Sequence, residues 1–110
     1  MADASDALDA VRSMWQASGG LARFRTPGGE LGRPGENLYR LTFGEARPHK
    51  LLIELDDQLL LIVTEPALET ASTQEVRVSF ARLTLDWQEY GNLRPHESTW
   101  VGGELVLTAQ

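Results

Sequence analysis

The sequence predicts an α+β domain in which one N-terminal helix packs on a curved antiparallel sheet of about five to seven strands. Apolar residues recur at helical spacing in residues 5–18, and segments of two-residue alternation fill residues 21–110. Glycine, proline and aspartate separate these segments. With 110 residues, 42% of them apolar, the chain is expected to form a single domain, residues 1–110, around one core.

The helix is predicted from the spacing of its apolar residues. From Leu8 to Trp15 they recur at i, i+3 and i+7, and Asp6 stands where a capping residue is expected. The glycine pair at 19–20 should end the helix. One narrow apolar stripe cannot stabilise an isolated helix of this length, so the helix is expected to dock on the sheet.

The sheet is expected to begin after the helix, and a loop should interrupt it early. Residues 27–36 contain four glycines and two prolines, a composition that predicts a flexible loop. In the next segment Tyr39, Leu41 and Phe43 alternate with other residues, which is typical of a strand with these three side chains on one face.

A hairpin is predicted where two apolar runs are joined by residues 56–58, Asp-Asp-Gln. The second run, residues 59–63, contains no polar residue. A strand that is apolar on both faces must be covered on both, so the helix is expected on one face. A closing sheet, a loop or another subunit should cover the other face, and Leu60 and Ile62 are therefore candidate self-association residues.

The last third of the chain allows more than one interpretation. Residues 75–87 fit a strand with a bulge near residues 81–82, but the same apolar residues also fit a helix, and the valine, threonine and aromatic content favours the strand. After a loop, the two glycines at 102–103 predict a closing hairpin.

The tripeptide Arg-Pro-His occurs twice, at residues 47–49 and 94–96, and includes both histidines of the chain. Each half of the chain has the same predicted order, which is a strand, Arg-Pro-His, a second strand, a polar turn and a third strand. This order fits a three-stranded β-meander used twice, and it also fits chance in a leucine-rich chain.

Charge and composition exclude several classes of function. The net charge is −6, which disfavours non-specific binding to nucleic acid. The acidic N-terminus does not resemble a signal peptide and no run of apolar residues is long enough to span a membrane, so a cytoplasmic protein is expected. The absence of cysteine removes disulfides and every cysteine-based metal site.

No constellation of catalytic residues is found. The chain has no nucleophile elbow around a serine and no phosphate-binding glycine loop, and its two histidines lack the spacing of a catalytic zinc motif. A metal site with His49, His96 and Glu97 or Glu45, and an acid/base pair of carboxylates, are weaker hypotheses than ordinary structural roles. The sequence therefore predicts a non-enzymatic protein without cofactor or metal.

Aromatic and basic residues give the best binding signal, because large aromatics and arginine are enriched at interaction sites. The predicted function is a protein-binding module that binds another protein or itself. The alternative is a small-molecule-binding domain with an apolar pocket between helix and sheet. In that case Arg47, His49, Arg94 or His96 would meet an anionic group at the mouth of the pocket. The candidate binding residues are Trp87, Tyr90, Arg94, His96, Trp100, Arg47 and His49.

Overall fold

The computed structural model of the chain describes residues 4–30, 38–87 and 96–109. Within them the strands form one antiparallel sheet, in the order β2-β1-β8-β7-β5-β4-β3, and β6 also pairs with β7. The predicted α+β fold is confirmed. The elements are α1 (Ala4–Ala17), β1 (Ala22–Thr26), β2 (Gly29–Glu30), β3 (Leu41–Arg47), β4 (Lys50–Leu55), β5 (Leu59–Thr64), β6 (Ala67–Ala71), β7 (Glu75–Trp87) and β8 (His96–Ala109).

Helix α1 packs with its apolar stripe on one face of the sheet, here called the inner face. It begins at Ala4, so Asp6 lies in the first turn and not at the cap. It ends before the predicted glycines: Gly20 has a φ of 93° and donates its N–H to the carbonyl of Trp15 at 2.8 Å. The buried helix residues are Ala4, Ala7, Leu8, Val11, Met14 and Trp15.

Alternate residues of the central strands complete the core beneath the helix. In β4 and β5 every second side chain is buried, as expected for strands with one face on a core. The buried strand residues are Ala22, Phe24, Leu51, Ile53, Leu55, Leu59, Leu61, Val63, Val76, Val78, Phe80, Leu83, Leu85, Leu105 and Leu107.

The predicted hairpin at residues 56–58 is confirmed. Asp56 and Asp57 have φ values of 52° and 57°, and Gln58 donates its N–H to the carbonyl of Leu55 at 2.9 Å, which are the features of a type I′ turn. The Asp56 carboxylate also accepts a hydrogen bond from the backbone N–H of Arg40 at 2.9 Å. The two aspartates thus shape and anchor the turn.

The face assigned to Phe43 was wrong. Leu41 pairs with Leu55 but Phe43 pairs with Glu54, so one extra residue, Thr42, is inserted in β3. This bulge turns Phe43 to the outer face, the side of the sheet away from α1, where 49% of the residue is exposed.

An irregularity, here called the crease, lies at the same level in β7, in β8 and at the break between β5 and β6. The inward-facing residues of β7 change from odd to even numbers between Leu83 and Phe80, so the irregularity predicted near residues 81–82 is present. It is not the predicted bulge, because the register with β8 does not shift there. In β8 the same level is occupied by residues 102–103, and on the other side of β7 the chain breaks at residues 65–66, between β5 and β6. Because all three strands change together, the sheet bends sharply there.

The predicted closing hairpin at residues 102–103 is wrong, and with it the second β-meander. β8 is one continuous strand, paired with β7 from Trp87 opposite His96 to Glu75 opposite Thr108. The two glycines adopt positive φ in β8 beside the crease and do not reverse the chain. Of the two predicted copies of the meander, only the first forms, as β3-β4-β5.

The curvature brings the two ends of the sheet together beside the helix. Ala22 of β1 and Tyr39, which precedes β3, form an isolated bridge with hydrogen bonds of 3.0 and 2.8 Å. Trp15 donates its indole N–H to the carbonyl of Tyr39 at 3.1 Å. The ring of Phe24 packs between those of Trp15 and Tyr39, tilted to the first and edge-on to the second. Part of the predicted loop at 27–36 is the short strand β2, and residues 31–37 lie outside the described residues.

Candidate functional site

The first Arg-Pro-His forms the turn between β3 and β4. Arg47 pairs with Lys50, which leaves Pro48 and His49 as the two central residues, and His49 has a φ of 65°. Proline followed by a residue of positive φ is typical of a type II turn, and histidine tolerates this conformation better than most residues. The motif therefore has a sufficient structural reason at this position.

His49 also joins this turn to the crease. Its Nδ1 lies 3.2 Å from Oε2 of Glu65, and its carbonyl accepts a hydrogen bond from the Glu65 N–H at 2.8 Å. Both side chains are largely exposed, at 76% and 58%. An exposed pair of this kind contributes little to stability, so its main effect is to orient two turns.

The second group of candidate residues is only partly described. Tyr90 and Arg94 lie outside the described residues, and of Trp87 and His96 only the strand positions are described. These two residues pair at the end of the sheet opposite to His49, about five residues or roughly 16 Å along the strands. The sheet does not bring the two histidines together.

Trp100 lies on the inner face, opposite Leu83, and packs against the core. Its ring covers Gly28, where an added Cβ would come within 3.0 Å of the Trp100 Cζ2 atom. This contact joins the turn between β1 and β2 to β8. A binding role for Trp100 stays a prediction, but the residue has a packing role.

The outer face of β3, β4, β5, β7 and β8 carries the most ordered pattern of side chains. Cross-strand partners in an antiparallel sheet share a face, so the pairing defines three rows across these strands. The acidic row holds Phe43, Glu54, Leu60 and Asp86, with the position of Glu97 at the same level of β8; the middle row holds Glu45, Leu52, Ile62, Thr84 and Thr99; and the basic row holds Arg47, Lys50, Thr64, Arg82 and Val101.

An apolar strip runs through these rows. Leu52, Leu60 and Ile62 are half-buried, and Phe43 and Val101 are exposed at 49% and 79%. Helix α1 lies on the inner face, so no helix of the described residues covers this strip. The two predicted self-association residues, Leu60 and Ile62, are both part of it.

The charges that flank the strip have no partner within the described part of the chain. Lys50, Arg82, Glu54 and Asp86 form no salt bridge there. One carboxylate oxygen of Asp86, Oδ1, is inaccessible and accepts no hydrogen bond. Lys50, Arg82, Glu54 and the other carboxylate oxygen of Asp86 thus have no salt bridge in the described residues that would compete with a second molecule.

The comparisons with known proteins do not assign this face. Protein families, curated proteins and solved structures give no match to this chain. Among the described residues, no helix has the length and apolar character needed to span a membrane. Within the same residues, no group of three histidine, cysteine or acidic side chains is placed to hold a metal ion.

The other half of the outer face differs, because Arg77 pairs there with two acidic residues of the chain. Arg77 lies 3.1 Å from Glu75 and 3.7 Å from Glu104, and hydrogen bonding to Glu75 together with the two negative charges raises its pKa. Ser79 donates a hydrogen bond to Glu69 at 2.7 Å. This half is an ordinary solvated surface.

A groove of about 300 Å³ lies between the C-terminal half of α1 and the start of β3. Trp15 and Leu41 form its apolar part, and Arg12, Gln16 and Arg40 supply polar groups. Arg12 donates to the carbonyl of Gly44 at 3.0 Å, so its guanidinium is held in place. The groove lies where the alternative function places a pocket, but other arginines than the predicted ones line it.

Tyr39 lies beside this groove and is the partly buried member of the aromatic cluster with Trp15 and Phe24. Burial raises the pKa of its phenol above the usual value, and the negative charge of Asp56 adds to the rise. The phenol therefore stays neutral well beyond neutral pH.

Proposed function

We propose that this chain is a non-enzymatic, cytoplasmic protein-binding module that self-associates through the outer face of β3, β4, β5, β7 and β8. The observation that carries the proposal is the half-buried strip of Leu52, Leu60 and Ile62, which no described helix covers. Apolar strips on an otherwise charged surface are typical of interaction sites, because contact with a partner removes them from water.

The size of the three rows determines how strong the association should be. At about 4.8 Å between strands and about 3.3 Å per residue, five strands and five residues cover roughly 400 Å² per copy. A standard protein interface takes about 800 Å² from each partner, so a weak and reversible dimer is expected, with a Kd on the order of 10–100 µM.

Replacing Ile62 by glutamate should abolish this dimer, because a carboxylate would have to be desolvated in the apolar strip. The matched control is Val106→Glu, since Val106 is also a half-buried β-branched residue of the outer face but lies between Arg25 and Arg77. Sedimentation velocity from about 5 to 500 µM should show dimer formation for the natural protein and for Val106→Glu, and about tenfold or greater weakening for Ile62→Glu.

A natural protein that stays monomeric at about 500 µM would contradict self-association, since the expected Kd lies well below that concentration. Equal behaviour of Ile62→Glu and Val106→Glu would place the contact elsewhere on the surface. Thermal unfolding of each variant should confirm that both remain folded.

The groove beside α1 supports a second candidate, the binding of a small aromatic carboxylate. Trp15 and Leu41 would contact its ring, and Arg40, which forms no salt bridge in the described residues, would pair with its carboxylate. Benzoate at millimolar concentration should then raise the Tm of the natural protein. Arg40→Gln should remove the shift and Arg23→Gln, an exposed arginine of β1, should retain it; no shift with the natural protein would reject this candidate.

A further inference from the structure

Two strands of the outer face carry the same order of charge. In β4 the order is Lys50, Leu52, Glu54, and in β7 it is Arg82, Thr84, Asp86, each at two-residue spacing. The pairing of both strands with β5 places Lys50 and Arg82 at one level and Glu54 and Asp86 at another. The face is therefore positive on one side of the middle row and negative on the other.

This order makes the face complementary to itself in one orientation. A two-fold axis along the middle row turns each strand end for end, so the basic row of one copy meets the acidic row of the other. A two-fold axis parallel to the strands would instead place acidic row on acidic row and basic row on basic row. Like charges at close range disfavour the second arrangement.

We propose that two copies of this chain associate face to face about a two-fold axis that runs along the middle row. Lys50 of each copy then faces Glu54 of the other, and Arg82 faces Asp86. This inference rests on the proposed function and deepens it, since it names the partner as a second copy and fixes the orientation in which the copies meet.

Most of the remaining row positions fit this orientation, while in β8 the position of Val101 lies opposite that of Glu97. Leu52 and Ile62 meet their own counterparts on the axis, and the partly exposed ring of Phe43 meets Arg47, a favourable cation–π contact. Glu45 would face its own counterpart, but it lies in the edge strand and is already paired with Arg47 at 2.9 Å. The like charge at the edge is thus partly neutralised within each copy.

Charge reversal tests whether the two charged rows lie in the interface. One variant carries Lys50→Glu with Arg82→Glu, and a second carries Glu54→Lys with Asp86→Lys. Each variant alone should be monomeric, with a Kd at least about tenfold weaker than that of the natural protein, because both rows then carry one sign. Mixed in equal amounts, the two should form a heterodimer, because every contact in it is again between opposite charges. Sedimentation velocity and native mass spectrometry measure both results.

The outcomes separate this inference from the proposed function. A natural protein that is monomeric at about 500 µM overturns both, since even a weak interface of this size should associate there. A natural dimer that tolerates both reversals, or reversed variants that do not combine, overturns the orientation and leaves self-association intact. If Asp86→Lys unfolds the protein, the single pair Lys50→Glu and Glu54→Lys provides the same test within β4 alone.

Cross-linking gives an independent measurement, because the chain contains no cysteine. Thr84 lies in the middle row, so in the dimer it faces its own counterpart across a sheet separation of about 10 Å. A short bis-maleimide should therefore join two copies of Thr84→Cys. Thr64→Cys is the matched control, because Thr64 lies in the basic row. In the dimer its counterpart would be displaced by roughly 13 Å along the strands, in addition to the separation between the two sheets. Equal cross-linking of both variants would overturn the proposed axis.

Discussion

Replacing Trp15 by alanine is expected to lower the free energy of unfolding by about 3–5 kcal/mol, the usual cost of removing a large buried aromatic side chain. Only 3% of Trp15 is exposed, and its ring packs on Phe24 with the centroids 5.1 Å apart. Its indole N–H also holds the carbonyl of Tyr39 at 3.1 Å, at the point where the two ends of the sheet meet. The substitution thus removes packing and hydrogen bonding at the same place.

Urea denaturation followed by far-ultraviolet circular dichroism measures this loss. Trp15→Phe keeps much of the packing and removes the hydrogen bond, so it should cost less than the alanine variant. Gln16→Ala, at the exposed neighbouring position of the same helix, should change the free energy of unfolding by less than about 0.5 kcal/mol. A loss below about 1 kcal/mol for Trp15→Ala would contradict the docking of α1 through this residue.

The elements that could be predicted from the sequence are those whose signals are local. The apolar stripe of α1 follows from spacing within one helix, and the turn at Asp56 and Asp57 follows from two residues that tolerate positive φ. The alternation of Leu59, Leu61 and Val63 toward the core was likewise visible, because a strand of this composition must bury at least one face.

The errors arose where a partner strand decides the local structure. Gly102 and Gly103 have the composition of a turn, yet they lie inside a strand because β7 has an irregularity at the same level. Phe43 has the correct spacing for the inner face, yet the bulge at Thr42 turns it outward. Neither irregularity can be recognised from the segment that contains it, since both depend on register with another strand.

The candidate interaction face was predictable only in part. Leu60 and Ile62 were identified because β5 is apolar on both faces, but the charges beside them come from strands distant in the chain. The order Lys50, Leu52, Glu54 alternates within β4 and could have indicated one half of the pattern. In the first Arg-Pro-His, Arg47 lies in the basic row of this face, and Pro48 and His49 are explained by a turn.

Replacing Gly103 by alanine should have the second large effect, a loss of about 3 kcal/mol in the free energy of unfolding, because two costs combine there. Gly103 has a φ of 128°, which side chains rarely adopt, and an added Cβ would lie 2.7 Å from Cγ of Pro27. Pro27 lies in the turn between β1 and β2, and a proline ring cannot rotate away. The crease and this turn would both have to shift.

Gly102 provides the matched control for this prediction. It precedes Gly103 in the same strand with a φ of 79°, but an added Cβ would meet no atom within 4 Å. Gly102→Ala should therefore cost only the backbone strain, about 1 kcal/mol. Urea denaturation of the two variants gives the difference between them, which contains the contact with Pro27 and the additional backbone strain at a φ of 128°. Equal losses of unfolding free energy would mean that the turn with Pro27 can shift without an energetic cost. Positive φ alone would then limit substitution at the crease.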